Sequence, residues 1–173
     1  MQIRPATRDD AADIQAIYAH HVLHGTGSFE EVPPSVEDML ERMAAVLGQG
    51  WAWLVAEDAT GLLGFACYKA WDARSAYRFT AETSVYVRDD VRGQGVGKAL
   101  VAALIPHATA AGFRQLIAAI GDSDNTGSIG VHASLGFAHA GTLRDAGFKF
   151  GNWLDLVLMQ RALAPTPRAA EEL

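Results

Sequence analysis

Hydrophobic residues recur at two spacings along the chain, and each spacing predicts one type of secondary structure. Apolar residues three and four apart predict a helix over about residues 8–21, capped by Thr7, and a second helix capped by Ser35. Gly48 and Gly50 end the second helix. Shorter apolar stretches predict strands over residues 2–4, 51–57, 62–71 and 79–87.

The second half of the chain alternates between the same two spacings. Helical spacing resumes at Gly95 and ends at Gly112, and a later helix is predicted over residues 125–135. Strands are predicted over residues 116–120, 138–148 and 153–160. The order β-α-α-β-β-β-α-β-α-β-β is neither a regular βαβ repeat nor a separation of strands from helices. It therefore predicts an α/β (α+β) fold, a mixed sheet with helices on both faces.

Composition narrows the classes of protein to consider. The 14 basic and 20 acidic residues give a net charge of −6, which argues against nucleic-acid binding. We expect no membrane association, because no apolar run approaches the ~20 residues that span a bilayer. Cys67 is the one cysteine, and its place in a predicted strand favours a packing role in a reducing, cytoplasmic setting. We predict one domain over residues 1–162 and a flexible tail over 163–173.

A glycine-rich turn separates a predicted strand from the helix that begins at Gly95. It reads Arg92-Gly93-Gln94-Gly95-Val96-Gly97-Lys98. A Walker loop needs glycine at 92 and Ser or Thr at 99, and a dinucleotide fingerprint needs glycine at 98, so both patterns fail. Glycines at a helix N-terminus between two cations still favour an anion-binding loop. A glycine-rich helix entry without a ligand is the alternative.

The spacing Arg92-x-x-Gly95-x-Gly97 resembles the pyrophosphate loop of the GNAT superfamily of N-acetyltransferases. Further stretches resemble one branch, the phosphinothricin and methionine sulfoximine acetyltransferases, and matches run from about residue 3 to 160. The stretches are residues 71–77, 80–87, 119–121, 132–137 and 147–153. Asp72 departs from this pattern, since herbicide-detoxifying relatives tend to carry lysine there.

The resemblance implies an acetyl-CoA-dependent enzyme without a metal that acetylates a small amino-acid-like amine while both substrates are bound. It also implies a mostly antiparallel sheet of six to seven strands and a homodimer. The predicted acetyl-CoA residues are Val85, Tyr86, Val87, Arg92, Gly93, Gln94, Gly95, Val96, Gly97, Lys98 and Asn125. In this interpretation, Val85, Tyr86 and Val87 offer backbone groups and Asn125 contacts the pantetheine arm.

Glu82 and His132 are the predicted catalytic residues. Glu82 corresponds to the family's general base, and it alternates with Ser84 and Tyr86 on one strand face. His132 lies where many members of the superfamily carry a proton-donating tyrosine, and it is predicted to act as acid or base. The alternatives are a solvated glutamate, a packing histidine and, for Asn125, a simple helix N-cap.

Four further residues are predicted to bind the acceptor: Arg74, Tyr77, Arg78 and Phe29. The arginines suit a carboxylate because their guanidinium groups make forked contacts. His20, His21 and His24 match no zinc pattern and are interpreted as surface or pocket-edge residues. Two other functions stay open: acetylation of a protein or peptide amine, and acyl-CoA sensing without turnover.

Overall fold

The computed structural model describes residues 1–163, which form seven strands and four α-helices. The strands are β1 (Gln2–Pro5), β2 (Trp53–Asp58), β3 (Gly61–Ala70), β4 (Thr80–Val87), β5 (Gln115–Gly121), β6 (Ala138–Lys149) and β7 (Asn152–Ala162). The helices are α1 (Ala11–His24), α2 (Val36–Leu47), α3 (Val96–Ala110) and α4 (Thr126–Ser134).

The seven strands form one sheet in the order β1-β2-β3-β4-β5-β7-β6. Only β4 and β5 run parallel, and the other neighbouring pairs are antiparallel. The predicted fold class, a mixed and mostly antiparallel sheet of six to seven strands, is confirmed. Helix α3 is the crossover between β4 and β5, as a parallel pair requires.

Two apolar cores lie on opposite faces of the sheet because successive side chains of a strand point to opposite sides. Trp53 and Val55 of β2 pack with Ile14 of α1 in one core. Leu54, between them in sequence, packs with Leu100 of α3 in the other core. The predicted placement of helices on both faces follows from this alternation, and it leaves the sheet buried at its centre.

Element boundaries differ from the predictions in a few places. Residues 8–10 form a separate 3-10 turn, and α1 then continues to His24, three residues beyond the predicted end. The predicted capping box of Thr7 and Asp10 is present and closes this turn. Helix α3 continues past Pro106 to Ala110. Residues 164–173, most of the predicted tail, lie outside the described residues.

The predicted caps and packing residues agree with the structure. Ser35 accepts a hydrogen bond from the Asp38 backbone N–H and caps α2, while Gly48 follows the last turn of that helix. Cys67 is half-buried, and burial raises the pKa of its thiol to about 12, which suits packing better than nucleophilic attack. Within residues 1–163, no helix has the length and apolar character needed to cross a bilayer.

An ion-pair network joins β1, β2 and the turn before α1. Arg4 donates two hydrogen bonds of 2.8 Å to the Asp10 carboxylate and one of 2.8 Å to Glu57. Asp10 also accepts a 2.7 Å hydrogen bond from the Thr7 backbone N–H. The Arg4 guanidinium is the main cause that lowers the pKa of Asp10 from 3.8 to about 2, against the opposing effect of burial.

We expect Asp10→Asn to remove an acid-dependent part of the stability. A lowered native pKa stabilises the fold above the unfolded value near pH 4, and this contribution fades as the pH falls through about 2. The variant should therefore lose about 2 kcal/mol at pH 7, and the difference from wild type should shrink below pH 4. Urea unfolding at several pH values measures this. Asp9→Asn, an exposed change in the same turn, is the control, and an equal loss at every pH for Asp10→Asn would contradict the assignment.

Candidate active site

Strands β4 and β5 separate at the centre of the sheet. Their pairing ends at Thr83 and Ala118, although β4 continues to Val87 and β5 to Gly121. The Arg88 N–H donates to the Leu63 carbonyl, so the even-numbered residues of β4 hydrogen-bond to β3. The backbone groups of Val85 and Val87 therefore face the gap, whereas those of Tyr86 face β3. Of these three predicted acetyl-CoA residues, two have the backbone orientation that the prediction requires.

The gap between β4 and β5 opens into a cleft of about 860 Å³. It extends between the N-terminal ends of α3 and α4, and it brings together most of the residues predicted to bind acetyl-CoA. Those lining it are Val85, Tyr86, Val87, Arg92, Gly93, Gly95, Val96, Gly97, Lys98 and Asn125, together with Glu82 and His132. Gln94 belongs to the same turn but does not line the cleft.

The glycine turn presents its backbone to the cleft. Among the described residues, no backbone N–H of residues 93–98 donates to an acceptor, and the first helical bond is made by Ala99. Gly93 and Gly95 have φ values of 75° and 84°, which disfavour residues with a Cβ, and a Cβ at either would meet nothing within 4 Å. Free N–H groups, a helix N-terminus and two cations form a site for a phosphate-bearing ligand.

His21 connects α1 to both sides of the cleft, a contact that sequence spacing did not reveal. Its Nε2 lies 2.8 Å from the Val87 carbonyl oxygen, and its Nδ1 lies 3.4 Å from Nη2 of Arg92. Because the carbonyl only accepts and the guanidinium only donates, the ring is neutral with its proton on Nε2. Burial lowers the pKa of His21, and the Arg92 cation adds to that effect. His20 and His24 also line the cleft, which agrees with their interpretation as pocket-edge residues.

Helix α4 begins at the cleft and carries two predicted site residues. Asn125 is its N-cap, and Oδ1 accepts a hydrogen bond of 3.2 Å from the Ser128 N–H. His132 is buried, and Nδ1 donates to the Ser128 carbonyl at 2.9 Å. Its Nε2 is buried without a hydrogen-bond partner among the described residues. Burial lowers the pKa of His132, so the ring is neutral and Nε2 carries a lone pair rather than a proton.

A second cavity of about 1240 Å³ lies on the face of the sheet covered by α1 and α2. Its aromatic wall contains Trp51, Trp53, Phe65 and Tyr86. Glu82 borders both this cavity and the cleft. The Glu82 side chain is 22% exposed, and its Oε2 lies 3.8 Å from Nζ of Lys69 on β3. One side chain thus borders two separate cavities.

Phe29 holds the loop between α1 and α2 against the sheet and lines the second cavity. Its ring fits because two glycines lie beside it: a Cβ at Gly147 would come within 2.5 Å of Cε2, and one at Gly121 within 2.9 Å of Cε1. The buried Lys149 ammonium donates to the carbonyl oxygens of Gly25 at 2.8 Å and Ser28 at 2.7 Å. The ring of Phe29 and the two hydrogen bonds from Lys149 therefore attach this loop to the β6–β7 hairpin.

The other predicted acceptor residues lie apart from these cavities. Arg74, Tyr77 and Arg78 line neither of them. Arg74 is held by the Asp72 carboxylate through contacts of 2.8 and 2.9 Å, and its guanidinium lies over the Tyr77 ring. Arg78 lies over the ring of Phe79. Their role in acceptor binding stays a prediction. Residues 1–163 contain no cluster of three His, Cys, Asp or Glu side chains suited to a metal ion.

Comparison with known proteins is consistent with this geometry. Residues 3–158 match the acetyltransferase (GNAT) domain. The chain is 53% identical to the phosphinothricin N-acetyltransferase of Alcaligenes faecalis over 93% of its own length and 82% of that protein's. It is 44% identical to the L-methionine sulfoximine/L-methionine sulfone acetyltransferase of Pseudomonas paraeruginosa, covering 96% of this chain and 97% of that one.

A solved structure is similar over nearly the whole fold. It is a phosphinothricin acetyltransferase of Sinorhizobium meliloti in complex with acetyl-CoA, with a TM-score of 0.91 and 42% identity over 94% of this chain and 88% of that one. The predicted family and its cofactor, acetyl-CoA, are confirmed by these matches. Since the match extends through both the glycine turn and the strand that carries Glu82, the chain belongs to the GNAT family of acetyl-CoA-dependent N-acetyltransferases.

Proposed function

We propose that this chain acetylates the α-amine of a small amino-acid-like acceptor of the phosphinothricin, methionine sulfoximine or methionine sulfone type. The observation that carries the proposal is the position of Glu82, which borders the acetyl-CoA cleft and the second cavity together. The names of the similar proteins support this acceptor class. Because the two spaces are distinct, both substrates bind at once and the amine attacks directly.

The residues present fit acetyl-CoA, which supplies an activated acetyl thioester when it is bound. The free N–H groups of residues 93–98 would hold its pyrophosphate, with Arg92 and Lys98 adding charge. His21 orients Arg92 through the contact between its Nδ1 and the guanidinium. The backbone N–H groups of Val85 and Val87 face the gap and would be available to the pantetheine arm and to the thioester carbonyl oxygen. Asn125 combines its capping role with a position on the cleft wall.

Glu82 is the general base in this proposal. An amino-acid amine arrives as an ammonium ion and attacks only after losing a proton, and Glu82 accepts that proton directly or through water. His132 has its Nδ1 proton committed to the Ser128 carbonyl, so the neutral ring offers Nε2 as an acceptor. Since this Nε2 is buried and carries no proton, we propose that His132 is not the donor to the departing thiolate.

The two alternative functions are less well supported. A peptide acetyltransferase suits an open acidic groove, whereas the second cavity is bounded by aromatic side chains and carries both signs of charge. An acyl-CoA sensor has no need of a carboxylate between its two cavities. A catalysed acetyl transfer therefore explains Glu82 and the cavity beside it better than acyl-CoA sensing does.

A thiol-release assay with acetyl-CoA tests the proposed function. We expect rapid release with methionine sulfone, methionine sulfoximine or phosphinothricin, slower release with ordinary amino acids, and little with a short peptide whose N-terminal amine is free. Faster release with the peptide would favour the peptide alternative. Binding of CoA without release in the presence of any of these amines would favour the sensor.

Replacing Glu82 with Gln keeps the shape of the side chain and removes its basicity. We expect kcat to fall by roughly 10²–10⁴-fold, while the Kd for acetyl-CoA stays within about twofold, because the loss concerns only proton transfer. Steady-state kinetics across pH, paired with calorimetric titration of CoA, measure both quantities. Glu41→Gln, an exposed change on α2, is the control. Near-normal turnover at every pH would remove Glu82 from the mechanism.

We also propose that the chain works in the cytoplasm as a homodimer. Phe148, Phe150 and Trp153 are each more than half exposed at the β6–β7 hairpin, and β6 is the outermost strand. Phe148 and Trp153 form a cross-strand pair with ring centroids 5.1 Å apart. An exposed aromatic cluster of this kind is typical of a protein–protein interface.

Light scattering coupled to size-exclusion chromatography tests the assembly. We expect a mass near 37 kDa for the wild type, twice the 18.5 kDa of one chain, and a shift towards the monomer for Trp153→Ser. Val32→Ser removes another highly exposed apolar side chain and should leave the mass unchanged. A monomeric wild type would contradict the proposed dimer.

A further inference from the structure

We infer that Lys69 binds the α-carboxylate of the acceptor and thereby sets the preference for amino acids over simple amines. This inference rests on the proposed function, because it concerns the acceptor of the same reaction. Lys69 lies on β3 directly opposite Glu82 on β4, and both line the second cavity. It is therefore the basic side chain beside the proposed base.

The charges around the second cavity separate into satisfied pairs and one open pair. Arg42 donates hydrogen bonds of 2.8 and 3.3 Å to Glu30. Asp72 accepts from the Arg74 side chain at 2.8 and 2.9 Å. These two pairs satisfy four of the charged groups in and beside the cavity, so they are already engaged before any substrate arrives.

Lys69 and Glu82 are the open pair. Their closest distance, 3.8 Å between Nζ and Oε2, is too long for a hydrogen bond. Neither side chain makes a hydrogen bond with another residue in the described part of the chain, and the Lys69 side chain is 61% exposed. A cation and an anion side by side, each with unused hydrogen-bonding capacity, form a receptor for a small molecule that carries the opposite charges on neighbouring atoms.

An α-amino acid is such a molecule. Its ammonium and carboxylate are attached to the same carbon, so the ammonium can face Glu82 while the carboxylate faces Lys69. This orientation directs the amine to the residue that removes its proton and leaves the side chain to the aromatic part of the cavity. A simple amine has no group for Lys69 and gains nothing from it.

The placement of Asp72 also bears on this inference. Asp72 lines the second cavity, and its carboxylate holds the nearby Arg74, which does not line that cavity. The positive charge beside the proposed base therefore comes from Lys69 on the neighbouring strand, and not from the arginines that were predicted to bind a carboxylate.

The test compares two acceptors that differ only in the carboxylate, methionine sulfone and 3-(methylsulfonyl)propylamine. We expect Lys69→Met to raise KM for methionine sulfone by about 10- to 100-fold, as expected for loss of a charge-assisted contact. KM for the amine should change by less than about threefold. Lys69→Arg should restore most of the lost preference, because it returns the cation.

Two further variants separate this role from the alternatives. Arg8→Met removes an exposed cation far along the chain and should leave the kinetics with both acceptors unchanged. Arg74→Met tests the competing assignment of the carboxylate to the arginine. An unchanged CoA affinity and circular dichroism spectrum will establish that Lys69→Met is folded.

The possible results distinguish failure of this inference from failure of the proposed function. Wild-type enzyme that acetylates neither compound, nor any other amine of the panel, would overturn the proposed function and this inference together. Turnover by the wild type with equal losses on both acceptors in Lys69→Met would overturn this inference alone. The same holds if Arg74→Met, and not Lys69→Met, raises KM selectively for methionine sulfone.

Discussion

Two parallel strands that separate leave backbone groups without a strand to bond to, and at the end of β4 these groups belong to Val85 and Val87. Unpaired backbone groups are costly when buried, so the gap has to be filled by side chains, solvent or a ligand. The ring of His21 satisfies the Val87 carbonyl from one side. The remaining groups face the cleft, where an extended ligand with amide groups of its own can complete the sheet. The pairing of β4 and β5 therefore ends where the cleft begins.

The same separation explains the position of Glu82 between the two cavities. Lying just before the last paired residue of β4, it is held by the ladder to β3 and has open space beyond it on both sides. Its partly exposed pair with Lys69 contributes little to stability, because surface ion pairs of this kind are typically worth no more than about 1 kcal/mol. A charged pair that contributes little to stability and lines a cavity is in the right place to act on a bound ligand.

Local chemistry in the chain predicted a large part of this structure. Apolar periodicity identified the strands and helices to within a few residues, and the caps at Thr7, Ser35 and Asn125 could be recognised from residue type and position. The glycine turn was recognisable because three alternating glycines between cations have few structural uses. Each of these features depends on neighbours within one element.

The features that sequence could not predict depend on contacts between distant segments. His21 meets Arg92 across 71 residues, and nothing in the spacing of three histidines indicates that partner. Lys69 faces Glu82 only because of the register between β3 and β4. Arg74 had the right chemistry for a carboxylate, but the carboxylate it finds is that of Asp72, two residues away. Charge type alone gave no indication of that pairing.

The two cavities share only a narrow border, formed by residues such as Glu82, Ser84 and Tyr86 of β4. Beyond it, the wall of the cleft comes mainly from the N-terminal ends of α3 and α4, and the wall of the second cavity comes mainly from α2, β2 and β3. With the acceptor in the second cavity, as we propose, substitutions in its wall can accumulate without weakening the binding of acetyl-CoA. Such a division lets one scaffold diversify towards new amines in single mutational steps, each of which keeps a working acetyl donor.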